Sequence, residues 1–175
     1  MAGDNTSRNI LNNTLLFIVE ILKKCGINNW FIAYGTLLGI VRENSCIDGD
    51  DDVDIMCDIE QFDVLKLALL KYGFTFNYGH GIKDSRFIIK TIATAKYCTV
   101  DFYMATVDKM STYHDKWEKV KWTNCYFNDK LIEYRWKNVV LYLPHNFKKK
   151  LIGRYGSQWE TPLKSKGVNP PLKIL

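Results

Sequence analysis

Asp50, Asp52 and Asp54 alternate with other residues at the head of an apolar run, Val53-Asp54-Ile55-Met56-Cys57. In an extended chain, residues two apart point to the same face, with Cβ atoms about 7 Å apart. The three carboxylates can therefore converge while Val53 and Ile55 point the other way. Carboxylates gathered on one face repel, and some take up protons unless a cation sits among them. Mg²⁺ or Mn²⁺ suits such a face, because it prefers carboxylate oxygens and keeps positions open for water and substrate phosphates. An EF-hand does not fit. Counted from Asp48, the sixth position is Val53 and not Gly, and the twelfth is Ile59 and not Glu; counted from Asp50, they are Ile55 and Gln61. A further acid, Asp101, lies between Val100 and Phe102 in a strand-like run, where a charge is costly unless paired. On a strand beside Asp52 and Asp54 it completes a two-metal or metal-plus-base site; facing solvent it is an ordinary strand residue.

The second chemical feature is Tyr34-Gly-Thr-Leu-Leu-Gly-Ile-Val-Arg42, which ends a strand and starts a helix. Gly35 permits close backbone approach. The free N–H groups of a new helix, with the Thr36 hydroxyl, make an anion site, and Arg42, about two turns on, can clamp a phosphate. The bland alternative is a turn glycine with Thr36 as an ordinary N-cap. Gly79-His80-Gly81 with Lys83 reads as a hairpin loop and not as a dinucleotide fingerprint, since no G-x-G-x-x-G opens a helix there. The aromatic and basic stretch from Tyr113 to Tyr142 can stack bases or sugars, but its alternation favours sheet packing.

The elements that must hold these residues follow from periodicity. Residues 6–24 read as a helix with Gly26 behind it. Trp30–Tyr34 is a strand, Leu37–Glu43 a short helix, Val53–Cys57 a strand and Ile59–Lys71 an amphipathic helix closed by Gly73. Arg86–Thr91, Cys98–Val107 and Leu131–Leu143 are strand-like, and Pro144 opens a final helix to about Tyr155. Interleaved helices and strands predict an α/β or α+β domain built on a sheet. The 175 residues suit one domain over 1–175, with a tail of uncertain order at 157–175. With 47% hydrophobic and 25% charged residues the composition is that of a globular chain. No apolar run approaches the ~20 residues that a membrane-spanning helix needs. The five cysteines are widely spaced without a CxxC, which argues against zinc and against a disulfide framework, and makes a reduced, cytoplasm-like compartment the economical reading; Cys57, Cys98 and Cys125 are read as core thiols. Net charge is +5, yet Pro144–Leu175 carries seven Lys or Arg against the single acid Glu160, so an anionic partner held near a cation is indicated.

Taken in order, Tyr34-Gly-Thr-Leu-Leu-Gly-Ile-Val-Arg42, Ile47 and Asp50-Asp-Asp-Val-Asp54 resemble the LicD family, which includes bacterial phosphorylcholine transferases and fukutin-like transferases and has the nucleotidyltransferase fold of the DNA polymerase β type. Val100-Asp101-Phe102 is similar to the family's later strand Asp. Leu143-Pro144 through Leu151, then Tyr155-Gly156, Trp159 and Pro162, is similar to its C-terminal segment, so the resemblance spans about residues 30–162. The chain departs from the pattern at Asp48-Gly49, where the family has Pro-Trp. The resemblance implies a mixed sheet flanked by helices and a metal-dependent transferase moving a phospho-alcohol from a CDP-type donor to a glycan hydroxyl. On that basis Asp52 and Asp54 hold Mg²⁺ or Mn²⁺ with Asp50 assisting, Asp101 is a third ligand or the base, and Gly35, Thr36 and Arg42 hold the donor phosphates. The alternatives are transfer of NMP onto a small molecule and a non-catalytic nucleotide- or glycan-binding module of the same fold; nucleic-acid binding by the basic tail ranks last.

Overall fold

Helix α1, Arg8–Lys24, opens at the Ser7 cap and buries Leu11, Leu15, Ile18 and Leu22 along one stripe. In the computed structural model, which describes residues 6–162 and 170–175, the chain then enters strand β1, Trp30–Ile32, and turns into helix α2, Tyr34–Glu43. Strand β2, Asp52–Asp58, pairs antiparallel with β1. A 3-10 turn at Ile59–Gln61 and helix α3, Phe62–Lys71, carry the chain across to β3, Ile88–Lys90, and β4, Thr99–Val107. Strand β4 runs parallel to β2, which requires a crossover of this length, and antiparallel to β3 on its other edge. The far end of β4 pairs with β5, Tyr113–Asp115, which pairs with β6, Val120–Trp122. A separate hairpin of β7, Ile132–Trp136, and β8, Val139–Leu143, leads to helix α4, Phe147–Tyr155. The result is the expected mixed sheet flanked by helices.

The sheet is buried on both faces at its centre, where Val53, Ile55, Met56, Cys57, Val100, Phe102 and Met104 have no exposed surface. Aromatic rings fill the sheet's curl: Phe31 lies 5.0 Å from Tyr113 and 5.4 Å from Trp122. Each such ring contributes about 1.5–3 kcal/mol by burial. Cys57, Cys98 and Cys125 are buried thiols, as read. Among the described residues no helix is long and apolar enough to cross a membrane.

The main differences from the sequence reading are these. Helix α2 starts at Tyr34 and not at Leu37, because the chain leaves β1 extended at Ala33 and makes its whole turn at Tyr34, whose φ is +42°. Gly35 and Thr36 therefore lie inside the first helical turn. Helix α4 starts at Phe147 and not at Pro144; Asn146 adopts a left-handed φ of +55°, and the His145 amide is spent on the Cys125 carbonyl. The stretch Tyr113–Tyr142 is sheet, as its alternation indicates, but it holds four strands, β5 to β8. Of the tail read as uncertain, residues 163–169 lie outside the described residues. The last residues dock in parallel beside β6, with the Lys121 amide donating to the Lys173 carbonyl and the Leu175 amide to the Lys121 carbonyl, each at 2.8 Å.

Candidate active site

Strand β2 and helix α2 are tied together at two adjacent residues. The Asp54 amide donates to Thr36 Oγ1 at 2.8 Å, and the Gly35 amide donates to Asp54 Oδ2 at 3.0 Å. A side chain at position 35 has no room: a Cβ there lies 2.7 Å from Asp50 Oδ2 and 3.3 Å from Asp54 Oδ2. The glycine thus lets two carboxylates close against helix α2's first turn. Gly39, one turn on, makes the same kind of approach to the backbone of the following loop, 2.6 Å from the Ser45 carbonyl oxygen. The helix is held at its first turn and its middle against the segment that leads into and carries the aspartates.

The parallel register puts Asp101 of β4 directly opposite Asp54 of β2, and the antiparallel register of β3 puts Lys90 opposite Asp101. Asp54, Asp101 and Lys90 therefore form a row across three strands, with Asp52 two residues along β2 on the same face. Lys90 Nζ donates to Asp101 Oδ2 at 2.8 Å and lies 3.7 Å from Asp52 Oδ2. Tyr103, two residues along β4 from Asp101, donates its hydroxyl to Asp54 Oδ1 at 3.2 Å. Asp54 and Asp101 are only 7% and 5% exposed. Where the chain enters β2, Asp50, Asp51 and Asp52 can each offer an oxygen within 4.8 Å of the others.

One lysine does not neutralise this many acids. Burial, then the charges of Asp101 and Asp51, push Asp52 up to about 8. Burial, with Asp52 and Asp101 adding to it, holds Asp54 well above the usual carboxylate range. Burial also raises Asp101, against the opposing hydrogen bond from Lys90, and raises Asp50. Lys90 itself is pulled down by burial but more strongly pushed up by Asp101 and Asp52. Asp101 Oδ1 is buried and has no hydrogen-bond partner among the described residues. A buried carboxylate oxygen without a donor costs about 1–3 kcal/mol or more. An all-oxygen donor set with a free buried lone pair and excess negative charge fits a hard divalent cation.

Of the four sequence-predicted acids, Asp50 and Asp54 close on Gly35, while Asp52 and Asp101 share Lys90 and Asp101 faces Asp54 across the strands. Thr36 is buried, and its hydroxyl accepts from Asp54. Arg42 turns to Glu43 and donates from Nε and Nη2 to Oε1 at 2.9 and 2.6 Å; Arg8 binds the other oxygen of Glu43 at 2.6 Å. The departure at Asp48-Gly49 has a local use, because Asp48 Oδ1 accepts the Arg8 amide at 2.8 Å at the start of α1 and Gly49 bonds to Thr6. Lys90 and Tyr103 escape the sequence reading, which holds Asp51 only as a member of the acidic run. Tyr103 was within reach, being two residues from Asp101 in the same strand. Lys90 carried only the weak signal of a cation closing the apolar pair Ile88-Ile89. Two cavities of about 220 and 1290 Å³ open elsewhere; the smaller touches the site only through Lys90, and the larger lies between α1 and the β7–β8 hairpin.

Residues 27–153 match the family model described as LicD/FKTN/FKRP, nucleotidyltransferase domain. No curated protein matches the chain. Among solved structures, the chain is similar to a lincosamide antibiotic adenylyltransferase bound to lincomycin, with a TM-score of 0.56 and 12% identity, over 78% of this chain and 81% of that one. At that identity the likeness concerns the fold. The matched span holds β1 through most of α4, with every carboxylate of the site, and the chain belongs to the LicD/FKTN/FKRP family of nucleotidyltransferase domains, a family of transferases.

Proposed function

We propose that this protein transfers a phospho-alcohol from a CDP-type donor to a glycan hydroxyl, using a divalent cation at Asp52, Asp54 and Asp101 with Asp50 assisting. The observation that carries the reading is the register-matched pair Asp54 and Asp101, with the unpartnered Asp101 Oδ1 beside them. A bound Mg²⁺ or Mn²⁺ neutralises phosphate charge and lowers the cost of bringing an anion to this acidic face. The acceptor oxygen attacks the donor phosphorus, the bond to the CMP oxygen breaks, and CMP leaves with the electron pair. The hydroxyl proton passes to a carboxylate of the cluster, with Asp101 assigned that role. Gly35 and Thr36 act by fixing Asp54 and Asp50 against helix α2, so that donor phosphates meet carboxylates already in place. Arg42 reaches a donor phosphate only by giving up its fork on Glu43.

A second reading, transfer of NMP onto a small molecule, uses the same carboxylates and fits the description of the matched family model as a nucleotidyltransferase domain. The two differ in their products. Incubation with Mg²⁺, a nucleotide-linked donor and candidate acceptors, followed by chromatography, separates them: CMP release marks the first and pyrophosphate release the second. Nucleotide binding without turnover in any mixture sinks both and leaves a binding module.

A further inference from the structure

An acidic site that handles a phosphate needs positive charge on the donor's side as well. Lys90 is committed to Asp101 and Asp52, and Arg42 to Glu43. A further cation beside the site is paired with no carboxylate among the described residues, although its side chain bonds Tyr155. Arg154, in the last turn of α4, stacks its guanidinium over the Tyr34 ring with Cζ 5.0 Å from the centroid. Its Nη1 is buried without a hydrogen-bond partner, and among the described residues no carboxylate pairs with it.

The stacking platform is rigid. Tyr34 donates its hydroxyl to Asp115 at 2.6 Å and packs edge-on to Tyr103 at 4.8 Å and to Trp122 at 5.2 Å. The next residue, Gly35, carries the amide that binds Asp54, and Tyr103 binds the same carboxylate. Arg154 thus stands on the ring that opens the active-site turn. Its neighbour Tyr155 bonds the Arg154 side chain and is raised by burial and then by the charge of Asp54, with Arg154 opposing. The end of α4 is itself clamped. The Leu172 amide donates to the Gly153 carbonyl at 3.1 Å, and a Cβ on Gly153 meets Leu175 at 3.0 Å. A guanidinium stacked on an aromatic face keeps its edge N–H groups for in-plane acceptors, and phosphate matches that fork. The buried Nη1 lacks an acceptor, so the guanidinium's hydrogen-bonding capacity is not used up by the fold.

We propose that Arg154, and not Arg42, is the cation that binds the donor's phosphate at this site. The inference rests on the reading of the carboxylates given above, and it makes the C-terminal segment 172–175 a support of the active site through Gly153.

The test is equilibrium binding of CDP, inorganic pyrophosphate and cytidine to the full chain in Mn²⁺, for wild type, Arg154→Met, Arg154→Lys and Arg42→Ala. Arg154→Met keeps packing on Tyr34 but loses the fork. It is expected to weaken CDP and pyrophosphate by on the order of 10- to 100-fold while leaving cytidine, which has no phosphate, unchanged. Arg154→Lys, the milder change, is expected to lose less, again only for the phosphate-bearing probes, and it keeps the test decisive should Arg154→Met not fold. Arg42→Ala is expected to leave CDP affinity unchanged. If wild type binds CDP and the Arg154 variants bind it equally well, or lose CDP and cytidine alike, the inference is overturned and the proposed function stands. If wild type itself binds neither CDP nor pyrophosphate in Mn²⁺, the reading of the carboxylates is overturned and this inference with it.

Discussion

At the scale of single residues, the site is a balance between carboxylates and the few groups that hold them. Asp101 has one oxygen on Lys90 and the other buried in the cluster, so Asp101→Asn separates its two possible duties. As a base, its loss is expected to lower transfer by about 10²- to 10⁴-fold with metal affinity kept. As a ligand, its loss lowers Mn²⁺ affinity as well. Asp52→Asn is expected to abolish metal-dependent nucleotide binding, and the double variant to be little worse than Asp52→Asn, because the cluster acts as a unit. Transfer rates and Mn²⁺ titrations of the three proteins, with circular dichroism as the folding check, decide it; wild-type turnover in folded Asp101→Asn would falsify any catalytic role. Gly35→Ala makes a sharper probe. Its φ is not in the left-handed region and alanine favours helix by about 1 kcal/mol, so the fold is expected to persist. The new methyl meets Asp50 and Asp54, and Mn²⁺ affinity is expected to fall about tenfold or more as they move apart. Unchanged Mn²⁺ binding and unchanged melting in the Gly35→Ala variant refute the close-approach argument.

At the scale of elements, helix α2 is positioned by its bond to β2 and not by a side-chain cap, since Ala33 cannot cap it. Thr36→Val keeps the shape but leaves the Asp54 amide buried without an acceptor. The expected cost is about 1–3 kcal/mol, read as a lower denaturation midpoint at unchanged slope. Activity is expected to fall further than stability predicts, because the same bond aims Asp54. A Thr36→Val variant as stable and active as wild type means that the bond carries neither role. Strand β4 is the other positioning element. It has β2 on one edge and β3 on the other over the residues that flank Asp101, so both neighbours of that aspartate are set by backbone register and not by flexible side chains.

For the whole molecule, the clustered acids tie stability to pH. Asp50, Asp52, Asp54 and Asp101 all bind protons more tightly in the folded chain than at the ordinary carboxylate value of 3.8. The native state therefore holds more protons than the unfolded state above about pH 4, and stability falls as pH rises through the window up to about 8, where Asp52 titrates. In EDTA the melting temperature is expected to decline from pH 5 to pH 8, by about 2–4 °C for each kcal/mol lost. On the proposed function a divalent cation would take the place of those protons, so added Mg²⁺ or Mn²⁺ is expected to raise the melting temperature more at pH 8 than at pH 5. A metal-free protein whose melting temperature rises over this range contradicts the assignment of these acids as buried and unneutralised.

The sequence by itself determined the strand-borne aspartates, the glycine turn and the class of fold. Each of these is local: period two puts Asp52 and Asp54 on one face whatever surrounds them, and a glycine between strand and helix admits close approach wherever the chain goes next. It also singled out Asp101, because an acid inside an apolar strand needs a partner. Tertiary structure alone decided who that partner is. Lys90 meets Asp101 through an antiparallel register between β3 and β4, and no spacing along the chain encodes that register. The same holds for the arginines. Arg42 sits on the helix after the turn and reads as the phosphate cation, yet Glu43 lies within its reach and takes its fork. Arg154 is distant in the chain and comes to the turn only because the end of α4 packs over Tyr34, held there by Leu172 and Leu175. Charge pairing in a site depends on which side chains packing brings within a few ångströms, and that is a property of the folded chain as a whole.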